Sequence, residues 1–184
     1  MEKYIISESK KTILASLLLA TFIILDRFLS VNTQFLAINL SLIPIMLAGM
    51  ILGWKYAFVI GAVGDFLGAT FWPFGAYFPG FTLSVGLSGV IFGLFLHETP
   101  NKEKKHFIVK AIISTAIVLG CFKLCLDSIW LHIMYKKAFM VYLGARAITQ
   151  AVMFPIYVAT IVFLERVLKK PIKRYLYREE EEEE

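Results

Sequence analysis

A chain of 184 residues that is 58% hydrophobic and only 18% charged poses a choice between a soluble and a membrane domain, and several apolar runs that approach or exceed the ~20 residues needed to cross a bilayer core decide for a polytopic membrane protein. Its net charge of +5 is not a nucleic-acid footprint, because the basic residues collect at the ends of apolar runs, where the positive-inside rule places them.

The polar start MEKYIISESK leads into an apolar run without a small-residue cleavage site, so the first helix is expected to be retained rather than removed as a signal peptide. Six spans are expected, over residues 11–29, 38–53, 55–71, 79–97, 107–131 and 138–168, since crossing a bilayer core takes ~20 apolar residues. The second is short and contains Pro44, and the fifth has a charged outer half that can bend inward. Lys3, Lys10 and Lys11 precede the first span, Lys102, Lys104 and Lys105 separate the fourth from the fifth, and Arg166, Lys169, Lys170, Lys173, Arg174 and Arg178 follow the sixth. All three groups fall on one side, which predicts cytoplasmic termini and places loops 30–37, 71–79 and 131–138 outside. Residues 1–178 then form a single domain. The run of glutamates over 179–184 buries nothing and reads as a solvated tail.

Gly61, Gly64 and Gly68, and Gly86, Gly89 and Gly93, each follow i, i+3, i+7, so the third and fourth spans are expected as close antiparallel neighbours with these glycines between them. In the first span Ser16 and Ala20 form a small-xxx-small pair beside Ala15, suited to packing or to docking another membrane protein.

No phosphate-binding loop, zinc motif or paired catalytic carboxylates occur, so the chain reads as neither an ATPase nor an enzyme. Cys121 and Cys125 read as packing residues, and His97, His106 and His132 as interfacial ones, rather than as metal ligands. The informative residues are the charges inside spans. At about 1.5 Å per residue, Asp65 lies ~10 Å from the outer end of its span, Lys123 ~12 Å, Asp127 ~6 Å and Arg146 ~12 Å from theirs. Charges from three helices at one depth describe a polar chamber open to the outside, with Asp26 and Arg27 at its rim; mutual neutralisation, Lys123 with Asp127 and Arg146 with Asp65, is the alternative. Phe71, Trp72, Phe74, Tyr77, Phe78 and Phe81, with Trp130 and Tyr135 opposite, form either an interfacial belt or an aromatic cover. Chamber and cover together suit a flat, polar-edged, partly anionic small molecule.

The stretches NTQFLAINLSLIPIMLAGMILG (32–53), GAVGDFLGATFWPFGAYFPGFTLSVGLSGVIFGLF (61–95) and LGARAITQAVMFPIY (143–157) resemble the FolT family, the folate-specific substrate-binding (S) components of energy-coupling factor (ECF) transporters. The resemblance covers nearly all of residues 10–168 and is strongest in PFGAYFPGFTLS. It implies an all-α integral membrane bundle of six transmembrane helices in the bacterial plasma membrane, with no cofactor of its own. It also implies capture of folate from outside, and assembly with a transmembrane coupling subunit and two cytoplasmic ATPases that use the ATP. On that reading Asp65 accepts from the pterin N–H edge, and Phe71, Trp72, Tyr77, Phe78 and Trp130 stack on or cover the rings. Arg146, Lys123 and Arg27 hold the carboxylates, and Gln150 adds an amide hydrogen bond. Family members often carry Ala-xxx-Ala in the first span for the coupling subunit; here Ala15, Ser16 and Ala20 are the nearest match. Thiamine or pantothenate, or a self-sufficient secondary transporter, are the other readings.

Overall fold

The computed structural model describes residues 8–32, 37–73, 75–97, 104–136 and 139–176. Phe74, Lys3, Lys102, Arg178 and the acidic run 179–184 lie outside the described residues. The chain runs through α1 (Glu8–Arg27), a two-residue antiparallel ladder of β1 (Val31–Asn32) and β2 (Ala37–Ile38), α2 (Leu42–Leu52), α3 (Trp54–Phe71) and α4 (Pro79–Leu96). It continues through α5 (Lys104–Ile117), a π-helical stretch (Val118–Leu126) and α6 (Asp127–Tyr135), which form one continuous rod, and ends in α7 (Phe139–Leu176). The six expected spans are thus six helical rods.

Three boundaries differ from expectation. The second span starts at Leu42 rather than at 38, because residues 37–41 go into the ladder and a turn in which Asn39 Oδ1 accepts the Ser41 N–H at 2.6 Å. A side-chain acceptor of this kind ends the preceding segment and starts the helix. The fifth rod extends to Tyr135, so most of the expected loop 131–138 is helix, and α7 continues to Leu176. On length and composition, Pro79–Leu96, His106–Tyr135 and Arg146–Val167 are long and apolar enough to cross a membrane, and Leu42–Leu52 is a shorter apolar helix. The 20-residue α1 is ~30 Å long, but it carries Glu8, Lys10, Lys11, Asp26 and Arg27, and α3 carries Lys55 and Asp65.

Phe22, Ile45, Met46, Phe92, Val118 and Ile161 meet in the centre of the bundle, fully buried. Around the outside, Leu17, Ile24, Val59, Val63, Ile148, Val152 and Phe163 are exposed, an inverted pattern that suits contact with lipid. The third and fourth rods are antiparallel neighbours. A Cβ at Gly93 would lie 2.2 Å from Trp54 Cα and one at Gly89 2.4 Å from the Ala57 carbonyl oxygen, so the two backbones touch where α4 has no side chains. The glycines of α3 do not all serve this contact, as the shared spacing had suggested. Gly61 faces Val85 of α4, whereas Gly64 and Gly68 face Phe22 and Arg27 of α1. The reason is that α3 is packed on two sides, and the 60° its glycines span covers the edge of both.

At the end of the bundle away from the ladder, Gly53 alone joins α2 to α3 at φ +87°, a conformation that strains any residue with a Cβ. Tyr56 there donates to Glu8 Oε2 at 3.1 Å, and Lys11 Nζ lies 2.7 Å from Glu8 Oε1. Lys11, followed by Tyr56, holds the Glu8 carboxyl below its ordinary range. This surface tie between α1 and α3 is therefore present at neutral pH and is lost as pH falls through the lowered value.

Candidate ligand-binding site

Opposite Gly53, the ends of α1, α3, α6 and α7 and the segment before α4 enclose an open cavity of about 260 Å³. Six charged residues line it, and they sort into two clusters. On one side, Arg27 Nε lies 3.0 Å from Asp26 Oδ2 and its Nη2 3.6 Å from Asp65 Oδ1. Asn39 Nδ2 donates to Asp26 Oδ1 at 2.6 Å, and Thr82 Oγ1 donates to Asp65 Oδ2, also at 2.6 Å. The Tyr77 hydroxyl is hydrogen-bonded to Thr82 Oγ1 at 3.1 Å, and the Tyr157 hydroxyl donates to the Asn39 carbonyl. One cation and two carboxylates give this pole a formal excess of one negative charge.

On the other side, Arg146 Nη1 and Lys123 Nζ approach the same oxygen, Asp127 Oδ2, at 3.3 and 3.7 Å. Arg146 Nη1 also donates to the Lys123 carbonyl at 3.2 Å. That carbonyl belongs to the π stretch, where Phe122 rather than Lys123 accepts the Asp127 N–H. The widened turn matters for geometry, because one residue inserted into an α-helix rotates what precedes it by about 100°. Lys123 lines the same cavity as Asp127, Leu131 and Tyr135, four residues at i, i+4 steps along one face of the rod. Two cations and one carboxylate give this pole a formal excess of one positive charge. Asp127 and Arg146 are 3% and 7% exposed, yet Asp127 Oδ1 and Arg146 Nε make no hydrogen bond among the described residues.

The expected residues are only partly brought together. Asp65, Arg27, Lys123, Arg146, Gln150, Tyr77 and Phe78 line the cavity. Phe71 and Trp72 do not: they are 66% and 48% exposed and pack on each other, with Trp72 also against Phe28, at centroid distances of 5.8 Å. Trp130 lies behind the cavity, 5.5 Å from the Phe78 ring, and its Nε1 donates to Ser84 Oγ at 3.0 Å. It holds Phe78 in place. Arg146 pairs with Asp127 rather than with Asp65, whose cation is Arg27. On α1, Ser16 and Ala20 are exposed, while Ala15 is half-buried against the core. Asn39, Ser41, Thr82 and Tyr157 were not anticipated. Asn39 and Ser41 gave a signal, as polar residues just ahead of an apolar helix, whereas Tyr157 in an apolar run looks like any packed aromatic.

A helical bundle with a polar cavity at one end is shared by a known group of proteins. The profile of the ECF-type riboflavin transporter S component family matches residues 7–170. The chain belongs to the S components of ECF-type transporters. It is thus an integral protein of the plasma membrane. This S component is 37% identical over 139 residues to the folate transporter FolT of Clostridium novyi (strain NT), covering 76% of this chain and 78% of that one. It is 30% identical over 162 residues to FolT of Leuconostoc mesenteroides subsp. mesenteroides, covering 85% of each. A crystal structure of FolT bound with folic acid superposes on it with a TM-score of 0.75 at 32% identity, covering 85% of this chain and 91% of that one.

Proposed function

We propose that this S component captures folate from the outer side of the membrane and hands it to an ECF coupling subunit driven by two ATPase subunits. The observation that carries the reading is the polarity of the cavity: an acceptor-rich pole with one excess negative charge faces a pole with one excess positive charge. A folate has a donor-edged pterin at one end and carboxylates at the other. Asp65 accepts from the pterin N–H groups, with Arg27 and Thr82 fixing its carboxylate rather than Arg27 taking the tail. Tyr77 and Phe78 flank the ring, Arg146 and Lys123 bind carboxylate, and Gln150 offers its amide. At about 260 Å³ the enclosed volume lies just below the ~300–1,000 Å³ usual for ligand sites, so part of the ligand extends into the open mouth while both poles stay within its reach. Two relatives and one solved relative are named for folate.

The family profile is named for riboflavin instead, and that reading has a specific weakness. Riboflavin has no carboxylate, so the Lys123–Arg146 pole would meet no ligand anion. Orientation follows from charge: Lys10, Lys11, Lys55 and Lys110 lie toward the end opposite the cavity, which the positive-inside rule assigns to the cytoplasm together with both termini. Ser16 and Ala20, exposed on α1, offer the coupling subunit a close approach, to which Ala15 contributes by packing behind them. The test is isothermal titration of the purified protein with folic acid, riboflavin, thiamine and pantothenate. Saturable binding of folic acid alone is expected; binding of riboflavin without folic acid would overturn the ligand and keep the class.

A further inference from the structure

The positive pole is a half-made ion pair. A permanent Arg–carboxylate pair normally uses both oxygens against two guanidinium nitrogens, in a bidentate fork. Here Lys123 Nζ and Arg146 Nη1 crowd on the single oxygen Oδ2 of Asp127. Asp127 Oδ1 and Arg146 Nε, both buried, are left without hydrogen bonds among the described residues. One acceptor and one donor are thus held out of water inside a cavity wall, each a group whose burial is unfavourable unless something completes it. A carboxylate entering the cavity would meet Lys123 Nζ, the more exposed of the two cations, and would compete with Asp127 for Lys123 and Arg146.

We propose that Asp127 is a built-in stand-in for the ligand's carboxylate: it neutralises Lys123 and Arg146 in the empty site and sets the threshold that an incoming acid must exceed. This rests on the folate reading for the identity of the acid. Asp127 is therefore a specificity residue, which makes the site discriminate by charge. A ligand with no anionic group leaves the Asp127 contacts as they are and gains nothing at this pole. A ligand with one shares or takes over the cations.

The experiment compares folic acid with pterin, its ring without the acid tail, by titration calorimetry on wild type and Asp127→Asn. Removing the competing charge is expected to raise the ratio of folic acid to pterin affinity about tenfold, the scale of one charge-assisted contact. Equal losses for both ligands, or an unchanged ratio, would make Asp127 a purely structural partner and overturn the proposal. Should Asp127→Asn not fold, Asp127→Ala prepared in formate takes its place. Added formate is then expected to raise the unfolding temperature of Asp127→Ala more than that of wild type, and to weaken folic acid without weakening pterin. No formate-specific effect would overturn the proposal. Failure of the wild type to bind either ligand is a failure of the folate reading, and the formate-dependent unfolding shift still reports on the anion seat.

Discussion

Asp65 uses both carboxylate oxygens inside the protein, one toward Arg27 and one toward Thr82, so its position is fixed before any ligand arrives. Fixed acceptors of this kind contribute more than floppy ones, because no ordering cost is incurred on binding. Asp65→Asn keeps the shape and loses the charge; a charge-assisted hydrogen bond is worth ~1.5–3 kcal/mol, so pterin-containing ligands should bind about 10- to 100-fold more weakly, read by titration calorimetry on the folded variant. The aromatic residues divide the same way. Phe78→Ala removes a ring that lines the cavity and should weaken ring-containing ligands by the ~1–3 kcal/mol typical of base–aromatic stacking. Among the described rings Trp72 meets Phe28 and Phe71, outside the cavity lining, and Trp72→Ala should stay within the ~0.5 kcal/mol of ordinary surface changes. Equal effects at the two positions would contradict the cavity assignment. That Asp65, Lys123 and Arg146 belong to one chamber was legible in the sequence, since a charge deep in an apolar span always needs a partner. Which partner was not legible. From the sequence, Arg146 goes to Asp65 and Asp127 to Lys123, because the rotation of the fifth rod is not visible there, and Phe71 and Trp72 lie between Ala69 and Pro73, which do line the cavity.

The elements explain why that rotation was hidden. The π stretch shifts the backbone pairing by one residue, the Asp127 N–H donating to the Phe122 carbonyl instead of to that of Lys123, and it leaves no hydropathy signal. The helix pairing was easier to foresee, because several glycines at helical spacing on each of two neighbouring spans permit close backbone approach. The split of the α3 glycines between α4 and α1 was not, as a 60° arc can serve either neighbour. A pair of substitutions measures the difference between a glycine that is needed and one that is not. Gly93→Val places side-chain atoms within 2.2 Å of the Trp54 backbone and should cost about 3 kcal/mol, the upper range of overpacking, seen as a lowered unfolding temperature in detergent. Gly120→Ala meets nothing within 4 Å and should leave that temperature unchanged or raised, since alanine is the better helix former by about 1 kcal/mol.

Across the whole molecule the two ends differ in character: one carries the cavity, the other the tie between Glu8 and Tyr56 and the lysines around it. With Cys121 and Cys125 replaced by serine, Gly75→Cys should react with a membrane-impermeant maleimide on intact cells. Lys11→Cys should react only after permeabilisation, and the reverse result would invert the proposed topology. The central claim is that the cavity recognises its ligand from both ends at once. The measurement that tests it most directly is the binding of pterin, of 4-aminobenzoyl-glutamate and of folic acid to wild type, Asp65→Asn and Arg146→Gln. The account predicts that Asp65→Asn weakens pterin and spares 4-aminobenzoyl-glutamate, that Arg146→Gln does the opposite, and that folic acid suffers from both. If either variant weakens the two fragments equally, or if folic acid binds no more tightly than its better fragment, the two-ended cavity is wrong.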